Sequence, residues 1–457
     1  MAEVSAKKRI WGWMMFDWAS QPYNTLLLTF IFGPYFAEIV TDMMMADGMS
    51  ENLAKAKAQE YWGWGLAVTG IVIAITAPIL GAFADSSGHR MAWIKLFSLL
   101  YIVGAFGLWW TAPDSFSILW ALVFFGIGFI GMEFTTIFTN SMLPSLVGRE
   151  DTGKISGSGF ALGYWGGVLA LAIMFPLFVE NSNGVTLLGK PPILGLDGAM
   201  REGTRFAGPF AAIWYIIGMI PFFLWVREKP ADVQIEGGVG DALNGLWATI
   251  KSLPKRVSMF SFLTSSLFYR DALNGLYGFG AIYARGVLDW SIILIGIFGV
   301  ISAITAAIFA YIGGKVDHKT GPKPVLIGTI LTLVIVCIII ISMTRESLFG
   351  FAFSEGSNLP DIIFFVCGGI IGAAGGMLQA SSRTMMVRHA DPDRPTEAFG
   401  LYALSGKATA FLAPALIALA SNISGDQRIG ITPLIFLFAI GLILLIWVKP
   451  NGEDVDE

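Results

Sequence analysis

Six ionisable side chains, Asp17, Glu133, Arg270, Asp271, Arg383 and Lys407, fall inside stretches of sequence that are otherwise apolar. Where such a stretch crosses a bilayer, each charge costs roughly 2.5–3.5 kcal/mol on insertion scales, so it needs a partner or water. Three acids and three bases sum to zero, which suits mutual pairing or a bound zwitterion. Lys95 is not counted with them, because it lies close enough to a span end to snorkel. Uncharged polar residues extend the charges into stripes: Gln21 and Asn24 follow Asp17 at i+4 and i+7, and Thr136 and Asn140 follow Glu133 at i+3 and i+7. Asn274 and Tyr277 follow Arg270 in the same way, and Gln379 precedes Arg383 by one helical turn. Each set shares one helix face. Interhelical hydrogen bonding accounts equally well for any one of these residues, Asn274 for example, whereas the four-helix set points to a site. Such a site meets a solute's ammonium with Asp17, Glu133 and Asp271, or its carboxylate with Arg270, Arg383 and Lys407. Coupling to an ion follows if one acid gains and loses a proton as the site changes sides. No Ser/His/Asp set, intramembrane histidine or metal-ligand pair is legible, so the expectation is no enzyme, no cofactor, no catalytic residue and no metal.

The elements that must position these groups are membrane spans. The 457-residue chain is 55% hydrophobic and 14% charged, where a soluble surface needs roughly 25% charged residues. Its mean hydropathy is +0.68. Reading spans of about 20 apolar residues places helices near 11–39, 61–83, 92–110, 116–143, 158–179, 206–226, 257–287, 291–316, 325–343, 361–387, 398–420 and 431–448. The expected fold class is an all-α membrane protein of twelve transmembrane helices in two pseudo-symmetric six-helix halves. The halves are 1–226 and 257–457, joined by a cytoplasmic linker, 227–256. In the linker Leu243, Leu246, Trp247, Ile250 and Leu253 recur at helical spacing beside Lys251, Lys255 and Arg256, the pattern of a short amphipathic helix on the inner leaflet. The first span reads as no cleaved signal, since Lys7-Lys8-Arg9 leads into a long apolar run without a small-residue cleavage site. Of the 29 Lys and Arg, seventeen fall on the side of the termini and eight on the other, which predicts both termini inside. Cys337 and Cys367 read as buried packing residues, and His89, His318 and His389 as solvated loop residues.

A signature occurs twice. Gly81, Asp85, Gly88 and Arg90 end one span and begin the next, and Gly313, Asp317, Gly321 and Lys323 do so again with one residue inserted. Internal repeats of this kind are how secondary transporters are built. Five of the six buried charges lie on spans one, four, seven and ten, each the first helix of a three-helix unit and of the class that lines a central cavity. Spans five and ten are rich in glycine, including Gly159, Gly163, Gly167, Gly372 and Gly376, which permits close helix approach.

The duplicated loop resembles the signature of the major facilitator superfamily, Gly-x-x-x-Asp-x-x-Gly-x-Arg/Lys. Phe16-Asp17-Trp18-Ala19-Ser20-Gln21-Pro22-Tyr23, Asn140-Ser141-Met142-Leu143-Pro144, Gly159-Phe160-Ala161-Leu162-Gly163-Tyr164, Gln379-Ala380-Ser381-Ser382-Arg383 and Phe399-Gly400-Leu401-Tyr402 look like the autophagy-related vacuolar-effluxer-like branch. The resemblance runs from Trp11 to about Arg428. It implies a twelve-helix transporter working by alternating access, with fungal relatives associated with amino-acid efflux from the vacuole. It also implies that Asp85 and Arg90 are cytoplasmic gate residues, with Asp317 and Lys323 as their counterparts.

The leading expectation is a proton- or sodium-coupled carrier of a small polar solute, amino acids and other zwitterions included, in the cell (inner) membrane. Its expected partners are that solute, H+ or Na+, and membrane lipid, with no nucleic acid, and the protein is expected to be a monomer. A lipid or hydrophobic-compound exporter using Trp18, Tyr164 and Trp165 is the alternative, and a transporter-like solute sensor without turnover a second one.

Overall fold

The computed structural model describes residues 4–181, 183–228 and 239–453. Linker residues 229–238 therefore lie outside the described residues. The chain is helical almost throughout. Its helices are α1 (Ala6–Pro22), α2 (Phe32–Ala46), α3 (Glu51–Ser87), α4 (Arg90–Gly107), α5 (Ile118–Ser141), α6 (Leu143–Leu146), α7 (Thr152–Leu177), α8 (Glu202–Arg205) and α9 (Ala207–Trp225). They continue with α10 (Val239–Ser252), α11 (Val257–Gly286), α12 (Ile292–Thr320), α13 (Pro322–Ser342), α14 (Leu359–His389), α15 (Pro395–Ala408), α16 (Leu412–Ser424) and α17 (Thr432–Leu444). A two-residue hairpin, Ser347–Leu348 against Phe351–Ala352, fills the turn between α13 and α14.

Eleven stretches of helix among the described residues are long and apolar enough to cross a membrane. The 30-residue α11 makes the twelfth, its apolarity diluted by Arg270, Asp271, Asn274 and its serines. Prolines disturb the first and eleventh spans. Pro22 inside the first can neither donate to the Trp18 carbonyl nor stack its ring below it, so the helix loosens into an eight-residue π segment, Tyr23–Phe30. Trp214 Nε1 donates to the freed Trp18 carbonyl at 3.1 Å, and the two indoles stack at 4.2 Å. The span expected over 398–420 is broken between α15 and α16, because Pro414 denies the Ala410 carbonyl its helical donor.

Two compact units emerge from the packing: 1–73 with 87–139 and 162–234, and 74–86 with 140–161 and 235–457. The first has an aromatic core in which Tyr23, Tyr101 and Tyr215 are fully buried, Tyr101 stacks on Tyr215 at 4.0 Å, and the Tyr23 hydroxyl donates to the Phe125 carbonyl at 2.6 Å. In the second, α12 and α14 pack through glycine, a Cβ at Gly376 coming within 2.5 Å of the Ala306 carbonyl oxygen. Cys337 and Cys367 are buried and unbonded to each other. His89 and His318 are exposed, but His389 is buried, correcting its reading as a solvated residue: its ring contacts Ser258 Oγ at 2.7 Å and the Met385 carbonyl at 2.9 Å and stacks on Phe262. Its place in the last turn of α14, a helix longer than the apolar run, puts it inside the packing.

Candidate functional site

In the first unit, α1 presents its polar stripe to glycines of α7. A Cβ at Gly163 would stand 3.0 Å from the Asp17 carbonyl oxygen, and one at Gly167 would stand 3.1 Å from Gln21 Cγ. These glycines let Asp17 and Gln21 lie flat between helices while remaining half-buried. Asn24 falls in the π segment, which shifts its direction from the regular i+7 position, and its amide contacts Met132 Sδ at 3.9 Å. Met132 precedes Glu133, which is half-buried, and the Thr136 hydroxyl folds back onto the Met132 carbonyl at 2.8 Å. Asp17, Gln21, Asn24 and Glu133 thus belong to one unit, on α1, the π segment and α5.

In the second unit, adjacent Arg270 and Asp271 part company, as about 100° per helical residue requires. Arg270 is half-buried on the side of exposed Asn274 and Tyr277. Its Nη1 donates to the Tyr402 carbonyl at 2.9 Å, and its guanidinium sits 4.2 Å from the Tyr402 ring centroid. It rests on Gly406, where a Cβ would stand 2.6 Å from Cζ. Asp271 points inward, 1% exposed, and its Oδ2 accepts from the Ala413 amide at 2.9 Å. Lys407 is half-buried in the last turn of α15.

Arg383 is 2% exposed and held from three directions. Nη1 donates to Asn140 Oδ1 at 3.1 Å, Nε to Ser156 Oγ at 2.9 Å and Nη2 to the Ser156 carbonyl at 2.7 Å, while the Phe160 ring lies 4.2 Å from Cζ. Gln379 is half-buried one turn earlier on α14. Arg383 and Asn140, singled out separately by type, therefore meet. Ser156 had no sequence signal, being an ordinary residue in a glycine-rich helix, and Phe160 stood out only within the family-like run 159–164.

The repeated loops organise helix ends. Asp85, 7% exposed at the end of α3, has Oδ2 accepting from the Glu397 amide at 2.8 Å. That amide is one of the unpaired donors at the α15 N-terminus, where an anion also gains from the helix dipole. Gly81 and Gly400 make the approach possible: a Cβ at Gly81 would stand 2.6 Å from the Thr396 carbonyl oxygen, and one at Gly400 the same distance from that of Ala77. Beside Asp85, a crevice is lined by Ser86, Asp241, Gly245, Arg394 and Glu397, so α10 also borders this junction. Gly88 turns the chain at φ +64°, and Glu228, unremarked in the sequence, accepts from the Arg90 and Met91 amides at 2.8 and 3.1 Å.

The second copy also brings a span end against a helix start, but by packing, with neither Asp317 carboxylate oxygen accepting a hydrogen bond. Asp317, 1% exposed, packs where a Cβ on Gly153 of α7 would lie 2.6 Å from its Cγ, and Gly157 and Gly314 meet backbone to backbone. Gly313 is buried against Met377. Gly321 ends α12 at φ +82°, and Lys323 Nζ donates to the Val448 carbonyl at 2.7 Å.

Among the described residues, no group of three or more His, Cys, Asp and Glu side chains converges to hold a metal ion. The family profile described as "Vacuole effluxer Atg22 like" matches residues 5–153 and 148–454. The chain belongs to this family. An uncharacterized MFS-type transporter of Bacillus subtilis (strain 168), YxiO, is 23% identical over 98% of this chain and 96% of its own length. Autophagy-related protein 22-2 of Aspergillus oryzae is 24% identical over 66% of this chain, which spans only 50% of that longer relative. The crystal structure of the E. coli fucose:proton symporter FucP superposes with a TM-score of 0.69 at 13% identity, covering 97% of this chain and 98% of that one, a likeness of fold. This Atg22-like protein is a multi-pass membrane transporter of the major facilitator superfamily and not an enzyme.

Proposed function

We propose that this protein moves a small polar solute, amino acids and other zwitterions being the class its charges suit, by alternating access coupled to H+ or Na+. It acts as a monomer in the cell membrane with both termini in the cytoplasm. The observation that supports this most is how its span charges are kept. Asp17, Glu133, Arg270 and Lys407 are half-buried on helix faces that also carry Gln21, Asn24 and Asn274, an expensive arrangement for a pathway meant for apolar cargo. The glycine-lined junction of Asp85 with the α15 N-terminus supports the switching part, since one carboxylate and close backbones can separate as a unit without leaving bulky side chains unpacked. Asp85, Arg90, Asp317 and Lys323 are its gate residues.

Thermal-shift screening of the purified protein against amino acids, peptides, sugars and lipids tests the solute class, because a ligand that binds only the folded state raises the midpoint. An amino acid that does so, and that then exchanges across proteoliposomes, is the expected result. A midpoint raised by lipids or apolar compounds alone would replace the reading with an exporter of such compounds. Binding without exchange would make the protein a sensor.

A further inference from the structure

The break between α15 and α16 leaves backbone groups without helical partners in the middle of a span. Its α16 side is capped in an unusual way. The N-cap residue is Phe411, which has no acceptor, and the Ala413 amide is taken instead by Asp271 Oδ2 from α11. The other oxygen of that carboxylate, Oδ1, is buried and receives no hydrogen bond, and Thr409 Oγ1, within the break, is likewise buried and unpartnered. Asp271 is 1% exposed, so an undonated anionic oxygen there is costly.

Neighbouring charges do not relieve it. The helices that meet α11 beside Asp271, α16 and α17, carry no ionisable residue. Next to it, Ala413, Leu434 and Ile417 enclose Gly275 one turn further along α11. On α11 itself Arg270 is turned to Tyr402, and Arg285 to the Trp290 carbonyl. On α15, Glu397 lies at the far end against Asp85, and Lys407 precedes the break by two residues. On α14, Asp361 is bound by Arg345 and Trp290, Arg383 by Asn140 and Ser156, Arg388 by Asn451, and His389 by Ser258. On α12, Asp317 is packed against Gly153, and Lys315, His318 and Lys319 are exposed near the helix end.

We infer that Asp271, beside the Thr409–Phe411 break, is a binding site for a monovalent cation, H+ or Na+, taken at Oδ1. This inference deepens the coupled-transport reading and rests on it for its purpose, but its test needs no solute. Purified wild-type protein and Asp271→Asn are compared by infrared titration of the protonated-carboxyl C=O band, and by thermal midpoint with Na+ replaced by choline. For a proton site, the wild type shows a titrating carboxyl band that Asp271→Asn lacks. For a Na+ site, Na+ raises the wild-type midpoint and does nothing to the variant. Should Asp271→Asn fail to fold, Asp271→Glu keeps the acid but displaces it by one methylene, and it should respond at a shifted pH or Na+ concentration. A wild type with neither response, or a variant that keeps the wild-type response unmoved, overturns the inference. Solute exchange that persists while the ion response is absent would overturn this site and leave the transporter reading standing.

Discussion

Asp85 caps α15 from another helix, and its value lies in being breakable. Asp85→Asn keeps the shape but removes the charge that the helix dipole favours, so transport should be abolished or strongly slowed while solute binding stays within a few-fold. Loss of binding with an unchanged balance of states, read by cysteine accessibility on either face, would make Asp85 a site residue instead. Arg383 differs in kind. Its guanidinium spans Asn140 and Ser156 in a fork that an ammonium cannot copy, so Arg383→Lys should lower stability by about 2–3 kcal/mol in a reversible unfolding assay. Wild-type stability in that variant would show that the buried fork carries little weight.

At the scale of elements, the packing assigns work to segments that look like tails and tethers. After α17 the chain returns along α11 and α14: Lys323 Nζ holds the Val448 carbonyl, Arg388 Nη1 donates to Asn451 Oδ1, and Glu453 Oε1 accepts from the Ser258 amide at 2.6 Å. Glu453 thereby caps the first turn of α11 and pairs with Arg256 at 3.3 Å. Glu453→Ala should cost about 1 kcal/mol, seen as a lowered thermal midpoint with no change in solute affinity. The linker helix α10 has two faces. Gly245 lies against Arg394, whereas Leu243, Trp247 and Ile250 are exposed with Lys251 Nζ 5.2 Å from the Trp247 ring centroid. If that face lies in a leaflet, a bimane label at Trp247→Cys should be quenched by brominated lipid in proteoliposomes, and one at Gly245→Cys should not. Equal quenching at both positions would count against an interfacial helix.

For the whole molecule, both loop copies bring the end of one span against the start of another helix, α3 against α15 and α12 against α7, although only Asp85 caps its partner. That correspondence supports the proposal of two related halves. Orientation can be tested without a structure: seventeen Lys and Arg against eight predict that reporter fusions at both termini are active only in the cytoplasm. Activity on the outer face would reverse the sidedness of both gate loops. The proposed role of the span charges in transport predicts that removing one of them damages transport, and that removing an acid and a base of the same unit together restores folding better than either single change. Neutral substitutions that leave transport intact at three or more of Asp17, Glu133, Arg270, Asp271 and Arg383 would end it.

The amino-acid sequence by itself determined the solvent, the helical class and the span count, because backbone satisfaction in hydrocarbon leaves a long apolar segment few options but a helix. It also carried the family, through residues such as Gly81 and Asp85 in the last turns of α3, whose spacing is local. What it could not contain is which way each charge turns and what meets it. Arg270 and Asp271 are neighbours in the chain, yet one lies on Tyr402 and the other under α16. Ser156, Glu228 and Glu453 have ordinary surroundings in sequence and acquire partners only when distant helix ends arrive. Pro414 stands where the eleventh span breaks, but proline in a span can kink, loosen or interrupt it, and Pro22 and Pro414 chose differently. The choice fell to the neighbours: Trp214 could satisfy the carbonyl freed by Pro22, while Asp271 was placed to cap a new helix start before Pro414.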